Sequence, residues 1–338
     1  MERRRLLQLA GAFLAAGSAP GALFAQTTQM TMVVPFPPGG GGDILARTVS
    51  LPFSEALREK VVLFNRPGAG GGVGMGYVKR RPGDGRTLVV GDGTTIGYVT
   101  NGIMCVNPYL YDRQSFDPLK DLTPVAGLTS IGLVLAVSPK ALPDVHTAAD
   151  LVKHAQARPG ETAFASAGPG TTSHLAGILL ESEAKLDLNH IPHAGGAGAV
   201  KEVLAGRVPF LIDVMPNLLP HLKAGTLRAL AVTTPSRSAL LPEVPTMVEA
   251  GLPGVTLYAW DGIAAPKGLS DADADRFAKA ARAALNDKAV RDRLLRMGAP
   301  VPRSRRLQAI HRGRGRQVAP ACPHGPRTAL KVEPIQTV

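Results

Sequence analysis

A proline- and glycine-rich run at residues 35–43 limits what this chain can fold into more than any other feature. The run PFPPGGGGD follows a short apolar segment at residues 30–34 and precedes a segment with helical apolar spacing. It therefore joins a strand to a helix, with backbone amides near residues 40–43 at the helix N-terminus. Those amides are unpaired, and the helix dipole adds about half a positive charge there. Because the loop has no Lys or Arg, it favours a compact carboxylate over a polyphosphate.

The rest of the chain alternates between strand and helix patterns. Strands are predicted at 61–65, 87–91, 162–165, 188–191, 208–213, 227–232 and 255–264, and helices at 72–80, 147–158, 172–185, 196–205, 216–224, from Ser270 onward and at 287–297. Such a series predicts an α/β fold with parallel sheets. A length of 338 residues favours two domains. The series starts near residue 30 and again near residue 131, so a ligand cleft is expected between two sheets.

A second glycine-containing loop occurs in the later half of the chain. The segment ASAGPGTTSH at residues 165–174 again follows a predicted strand and opens a predicted helix. It offers free amides and three hydroxyl groups. A tight turn with a Ser or Thr helix cap is the simpler alternative for this loop taken alone. Because the same device appears in both halves, the two loops are expected to hold one carboxylate between them.

The first 25 residues are expected to be an export signal. Three arginines at residues 3–5 precede an apolar stretch too short to span a bilayer, and small residues near Ala25 offer a cleavage site. The arginine pair also permits the twin-arginine route, so the Sec and twin-arginine routes both stay open. The mature protein is therefore expected in the periplasm.

The net charge of +12 is concentrated at the two ends of the chain. Residues 301–338 hold seven Arg and one Lys against one Glu, and the body carries little excess charge. Basic residues are not interleaved with aromatic ones, so nucleic-acid binding is not expected. Cys105 and Cys322 form no CxxC pair and are interpreted as incidental. No zinc-ligand spacing occurs, and neither a metal nor a cofactor is expected.

Many short motifs, in collinear order over about residues 30–300, resemble one family. They are VVPF with the glycine run and Asp43, NRPGAGG at 65–71, PGDG at 82–85, NPYLY at 107–111, FASAG at 164–168, SHLAG at 173–177, the segment 225–232, LPEVPT at 241–246, EAGLPG at 249–254 and AW at 259–260. The chain resembles the periplasmic receptors of tripartite tricarboxylate transporters, also called the Bug family after the Bordetella uptake proteins.

The resemblance implies a type II periplasmic binding protein, with two α/β domains that close on a small organic acid. Residues 26–130 with 255–301 would form one domain and residues 131–254 the other. Ligand contacts carried over from the family are Phe36, Pro37, Gly39, Gly40 and Asp43 in the first loop, Ser166, Ala167, Gly168, Thr171, Thr172 and His174 in the second, and Asp213 at a strand end. Asp43 is expected to cap its helix and fix the loop rather than touch an anion. The implied partners are a carboxylate and the transporter's membrane subunits, with the receptor as a monomer.

The chain departs from the family pattern at three places. His193 stands in a PHAG segment where relatives commonly have Pro-Tyr-Lys-Gly, and Asp261 follows Trp260 where an aromatic residue is usual. Both are predicted to face the far end of the ligand pocket, with neutral variation at the cleft rim as the alternative. Residues 302–338 are rich in Arg, Pro and Gly without helical periodicity, which predicts a disordered basic tail and suggests a shifted reading frame.

Two other functions are alternatives to that of a transport receptor. A periplasmic receptor that signals to a sensor kinase would have the same sequence features. An exported hydrolase could draw on Ser173, His174 and Asp213, but adjacent helical side chains point about 100° apart and no GxSxG segment occurs. An enzyme is therefore not expected.

Overall fold

A computed structural model describes residues 29–82, 95–107 and 116–301. The predicted signal peptide, the predicted strand at 87–91 and the tail from residue 302 lie outside these ranges. Within the described ranges, no helix has the length and apolar character needed to cross a membrane.

The helices and strands follow the predicted alternation closely. In chain order they are β1 (Gln29–Val34), α1 (Gly41–Leu57), β2 (Lys60–Asn65), α2 (Gly72–Lys79), β3 (Thr95–Thr100), α3 (Pro118–Asp121), β4 (Leu122–Val137), α4 (Ala148–Gln156), β5 (Ala163–Ser166), α5 (Thr172–Ala184), β6 (Asn189–Pro192), α6 (Gly196–Ala205), β7 (Phe210–Val214), α7 (Met215–Lys223), β8 (Arg228–Val232), β9 (Tyr258–Pro266), α8 (Asp271–Asn286) and α9 (Lys288–Arg296). A π-helical turn at Gly102–Val106 follows β3, and short 3-10 turns lie at Ala69–Gly71 and Pro253–Val255.

Side-chain caps start several of these helices where the sequence predicted them. At α4, Thr147 accepts from the Asp150 amide and Asp150 accepts from the Thr147 amide, which is a complete capping box. At α8, the Ser270 hydroxyl accepts from the Asp273 amide. Each cap satisfies amides that have no partner inside the helix.

The strands form one sheet in the order β2-β1-β3-β9-β4-β7-β5-β6, with β8 paired to β4. Pairs among β1, β2 and β3 are parallel, as are those of β5 with β6 and β7. The predicted parallel pairing therefore holds for these strands, but the sheet also contains antiparallel pairs that were not predicted: β4 runs antiparallel to β7, β8 and β9, and β3 runs antiparallel to β9. The predicted strand at 255–264 starts three residues later, after the 3-10 turn.

The long strand β4 belongs to two parts of the sheet. Its residues 122–132 pair with β9, and residues 133–137 pair with β7 and β8, with register shifts along the way. We call β1, β2, β3, β9 and helices α1, α2, α8 and α9 the first half, and β5 to β8 with α4 to α7 the second half. The division into two domains with the predicted boundaries stays a prediction.

Apolar side chains fill both faces of this sheet. The largest fully buried ones include Phe53 on α1, Tyr98 on β3, Phe164 on β5, Phe210 on β7 and Phe277 on α8. Burying one such side chain contributes about 1.5–3 kcal/mol. The strand ends are therefore held firmly, and the loops that follow them start from fixed positions.

Two further features of the fold concern Trp260, near the first loop, and Cys105. Trp260 on β9 is buried in a cluster with Val33 and Ile103, and Phe36 packs against that cluster. Cys105 is disulfide-bonded, so its interpretation as incidental is wrong. The chain's other cysteine lies outside the described residues.

Candidate functional site

The first loop is held in place by the Asp43 carboxyl group. This side chain is 2% exposed. It accepts hydrogen bonds from the Gly39 amide at 2.9 Å, from Asn65 Nδ2 at 2.8 Å and from Arg47 Nε at 2.8 Å. Burial alone would raise the pKa of Asp43, but these hydrogen bonds hold it below its usual value. Gly40 rather than Asp43 occupies the cap position of α1. Asp43 thus fixes the loop from inside the first turn, by reaching back to Gly39.

Two backbone amides at the start of α1 remain available for an anion. The Gly41 amide donates to Asn217 Oδ1 at 2.6 Å. The amides of Gly42 and Asp43 have no hydrogen-bond partner among the described residues. The Phe36 ring covers Gly42 so closely that a Cβ there would lie 2.7 Å from Phe36 Cδ2. A small anion that approached these two amides would therefore also meet an aromatic wall.

The second loop has a comparable construction. Gly168 and Gly170 have φ of +114° and +77°, which only glycine adopts freely. Thr171 is the cap of α5: its hydroxyl accepts from the His174 amide and donates to the Gly168 carbonyl at 2.7 Å. The amides of Thr172 and Ser173 have no partner within the described part of the chain. This loop, too, leaves two adjacent amides at a helix N-terminus.

Hydroxyl groups of the second loop are committed to structural hydrogen bonds. Ser166 Oγ accepts from the Gly168 amide at 3.1 Å. Ser173 Oγ donates to the Ile212 carbonyl at 2.6 Å and also accepts from the Ala167 amide at 3.4 Å. A serine that donates to a main-chain carbonyl is not activated by a base, so the geometry gives no support to a Ser173 nucleophile.

Three stacked rings lie beneath the second loop. His190 on β6 stacks between Phe164 and His174, with centroid distances of 4.8 and 4.2 Å. The Ser166 hydroxyl lies 2.6 Å from His190 Nε2, and the Gly170 amide donates to His174 Nδ1. Burial lowers the pKa of both histidines to about 4, and for His190 the neighbouring histidines contribute as well. Both rings are therefore uncharged near neutral pH.

His190 is a residue that the sequence analysis missed. It falls within the strand predicted at 188–191, and the structure places it on β6 directly opposite Phe164, but the sequence analysis assigned it no role at the site. The alternation of a strand could have placed it on the same face as Phe164. Two asparagines beside the loops were missed as well: Asn217, which accepts from the Gly41 amide, and Asn101, which accepts from the Thr172 hydroxyl. No motif in the sequence around either residue indicates such a contact.

Asp213 is buried at the end of β7, close to the first loop. Its Oδ1 accepts from the Val214 amide at 2.8 Å, and its Oδ2 accepts from Asn217 Nδ2 at 2.7 Å. Burial raises the pKa of Asp213 to about 6, and these hydrogen bonds offset part of the rise. Through Asn217, Asp213 is linked to the Gly41 amide of the opposite half.

The two residues that depart from the family pattern have different surroundings. The His193 amide donates to the Ser166 carbonyl at 3.0 Å, and its Nε2 atom is buried with no partner among the described residues. The Asp261 carboxyl is buried inside the sheet, where it accepts from Thr129 Oγ1 at 2.9 Å. Burial raises the pKa of Asp261 to about 6, offset in part by Thr129 and the nearby Tyr98 hydroxyl. Contact of either residue with a ligand stays a prediction.

Each glycine-rich loop packs on a segment of the opposite half. A Cβ on Gly195 would lie 2.7 Å from Pro37 Cδ, and a Cβ on Gly102 would lie 2.5 Å from the Gly170 carbonyl oxygen. The structure thus brings Pro37 to the loop before α6, and brings the second loop to the π-helical turn after β3. The first-loop residues lie together around Asp43, the second-loop residues lie around Thr171, and Asp213 lies beside the first loop through Asn217. No group of side chains suited to a metal ion occurs in the described ranges.

The family model described as "Tripartite tricarboxylate transporter family receptor" matches residues 45–309. The chain belongs to this receptor family. BugT of Bordetella pertussis is 35% identical over 302 residues, which cover 88% of this chain and 90% of BugT. A UPF0065 protein of Pseudomonas sp. strain P51 is 38% identical over 250 residues, covering 73% and 71% of the two chains. The predicted resemblance is therefore confirmed for this receptor.

Solved structures agree with the family assignment. The receptor resembles MatC (Rpa3494) of Rhodopseudomonas palustris with bound malate, at a TM-score of 0.79, 28% identity and coverage of 87% and 96%. It also resembles Rpa4515 of R. palustris with adipate, at a TM-score of 0.77, 32% identity and coverage of 88% and 98%. It also resembles the periplasmic binding protein BugD, at a TM-score of 0.78, 28% identity and coverage of 87% of this chain and 94% of BugD. The periplasmic binding protein fold is confirmed, and the family is one of solute receptors rather than enzymes.

Proposed function

We propose that this receptor captures a small organic carboxylate between its two glycine-rich loops in the periplasm. The observation that carries the proposal is the pair of unpartnered amides at each loop, Gly42 with Asp43 and Thr172 with Ser173. Two adjacent amides at a helix N-terminus suit the two oxygens of one carboxylate, and the helix dipole favours its charge. MatC and Rpa4515, whose structures hold malate and adipate, support this ligand class.

The remaining predicted contacts complete the proposed pocket. Phe36, Pro37, Gly39 and Gly40 would shape the first side, Ser166, Ala167, Gly168, Thr171 and His174 the second, and Asp43 and Asp213 would hold the loops. His193 and Asp261 would border the far end of the ligand. The protein would bind its ligand without chemical conversion and without a cofactor.

The proposed role is delivery to the membrane subunits of a tripartite tricarboxylate transporter. The family model supports this partner. The receptor would be exported through residues 1–25, act as a monomer in the periplasm, and close around the ligand before delivery. Closure would follow from the ligand's contacts with both halves, because a ligand favours the state in which it makes more of them.

A ligand screen with a first-loop variant tests the proposal. We expect melting temperature and calorimetry to detect at least one ligand among mono-, di- and tricarboxylates, malate and adipate included, with affinity in the micromolar range, about −8 kcal/mol. The matching amides should not bind. Gly40→Val should lower the affinity at least tenfold, because it adds a branched side chain to the loop that is proposed to hold the carboxylate.

Gly40→Ala serves as the matched control. A Cβ at Gly40 meets no atom closer than 3.6 Å, so Gly40→Ala should leave the melting temperature of the ligand-free protein nearly unchanged. The melting temperature of ligand-free Gly40→Val, measured beside it, shows whether the two additional methyl groups disturb the fold. Unchanged ligand affinity in Gly40→Val would contradict a site at the first loop. Equal binding of a carboxylate and its amide would contradict recognition of the charge.

A further inference from the structure

Two asparagine side chains join the halves of the protein at corresponding points. Asn217 of the second half accepts from the amide of Gly41, the first residue of α1, at 2.6 Å. Asn101 of the first half accepts from the hydroxyl of Thr172, the first residue of α5, at 2.7 Å. Each half thus binds the first helical residue that follows the glycine-rich loop of the other half.

Both asparagines are held from behind by a second hydrogen bond. Asn217 Nδ2 donates to Asp213 at 2.7 Å, and Asn101 Nδ2 donates to the Tyr258 carbonyl at 3.5 Å. The carboxamide oxygen faces a donor and the nitrogen faces an acceptor in each case, which fixes the orientation of both groups. Neither side chain is free to turn away from its partner without leaving another group unpaired.

The backbone approaches closely beside each of these hydrogen bonds. Gly195 lies against Pro37 beside the Asn217 contact, and Gly102 lies against Gly170 beside the Asn101 contact. Each of these glycines has no room for a Cβ, because an atom of the opposite half would lie within 2.7 Å. Both hydrogen bonds therefore lie at points where the two halves are in direct contact, and separation of the halves at either point would break the hydrogen bond there.

We propose that Asn101 and Asn217 form a reciprocal clasp that positions both glycine-rich loops in the closed cleft. Loss of either hydrogen bond weakens closure as a whole and so loosens the loop on the other side. The clasp depends on the cleft closure in the proposed function but not on the identity of the ligand. Neither asparagine needs to touch the ligand, so both are positioning residues.

Hydrogen exchange of the ligand-free full-length protein tests the clasp, because the clasp is proposed to hold the halves together before a ligand binds, and the ligand then favours a closed state that is already populated. Asn217→Ala should speed exchange in residues 39–44, where its own partner lies, and also in residues 168–176 at the second loop. Asn101→Ala should speed exchange in the same two segments. We expect about three- to tenfold faster exchange, the range given by one lost hydrogen bond. Asn101→Asp keeps the acceptor for Thr172 but loses the donor to the Tyr258 carbonyl, so its exchange rates should lie between those of the wild type and Asn101→Ala.

An exposed asparagine on α8 provides the matched control. Asn286→Ala, an exposed substitution at the end of α8, should change neither segment. Faster exchange only beside the substituted residue would show two independent local contacts and overturn the clasp. Because no ligand is present, that result would leave the carboxylate proposal intact. A failed ligand screen would conversely leave the exchange result standing.

Discussion

At the scale of single residues, Asp43 shows how one buried carboxylate can organise a loop. It receives an amide, a carboxamide and a guanidinium group, and these three donors come from before, within and after α1. The sequence predicted that Asp43 would fix the loop, since an acidic residue directly after a glycine run can accept hydrogen bonds from the amides of that loop. It did not indicate Asn65 as a partner, because that residue lies at the end of the neighbouring strand.

Replacement of Asp43 should therefore destabilise the protein. Asp43→Ala leaves the Asn65 carboxamide and the Gly39 amide without their acceptor, which costs about 1–3 kcal/mol for a buried group. Urea unfolding would measure this change. Asp292→Ala, which breaks an exposed ion pair with Lys288, is the control and should have no measurable effect. Equal unfolding midpoints for both variants would contradict the structural role of Asp43.

At the scale of secondary structure, caps and alternation were predictable and pairing was not. Thr147, Ser270 and the glycine-rich loops mark helix starts through local chemistry that a sequence displays. The 16-residue strand β4 was not foreseen, because its sequence mixes apolar residues with Thr, Pro, Ser and Gly without a single period, and its register shifts partway. Strand direction escaped prediction because the strands that pair with β4 lie far along the chain: β9, for example, begins more than a hundred residues after β4 ends.

A comparison of two threonine helix caps can distinguish an effect on helix stability from an effect on ligand binding. Thr171→Ala and Thr147→Ala each remove a helix cap and should cost about 1 kcal/mol of unfolding free energy. Only Thr171 belongs to a glycine-rich loop, so only its substitution should also weaken carboxylate binding in calorimetry. Thr171→Ser keeps both hydrogen bonds and should restore affinity. Equal affinity loss in the two alanine variants would contradict a specific role for the second loop.

At the scale of the whole molecule, the two halves meet through contacts that no local pattern reveals. The two glycine-rich loops could be predicted from the sequence. The roles of Asn101, Asn217 and His190 could not, because their contacts are with residues in other segments of the chain. Asn217 and Gly41 are 176 positions apart. The pattern of a single sequence predicts local structure, whereas the cleft forms where segments that are distant in the sequence come close together.

Buried acids and histidines have opposite effects on the stability of the whole molecule. The pKa of Asp213 and of Asp261 rises to about 6, so between about pH 4 and 6 the folded state binds more protons and stability falls as pH rises. The pKa of His174 and of His190 falls to about 4, so between about pH 4 and 6.5 the unfolded state binds more protons and stability rises with pH. The two effects oppose each other in the same range.

Removing one acid should therefore change the slope of stability against pH. Asp261→Asn removes one contribution that falls with pH, so relative to the wild type this variant should gain stability as pH rises from 4 to 6. Urea unfolding at several pH values would show the difference. Curves for the variant and the wild type that stay parallel over this range would mean that Asp261 does not titrate there.

The position of Trp260 makes its intrinsic fluorescence a probe of the first loop. This residue is the chain's sole tryptophan, and it lies buried in the cluster that Phe36 of the first loop joins. Its indole nitrogen has no hydrogen-bond partner among the described residues. The emission of an indole responds to the polarity around it, so the wild-type receptor carries a built-in optical reporter beside its first loop. We therefore expect ligand binding at the first loop to shift the wavelength or the intensity of this ultraviolet emission, which would report receptor occupancy without any attached dye.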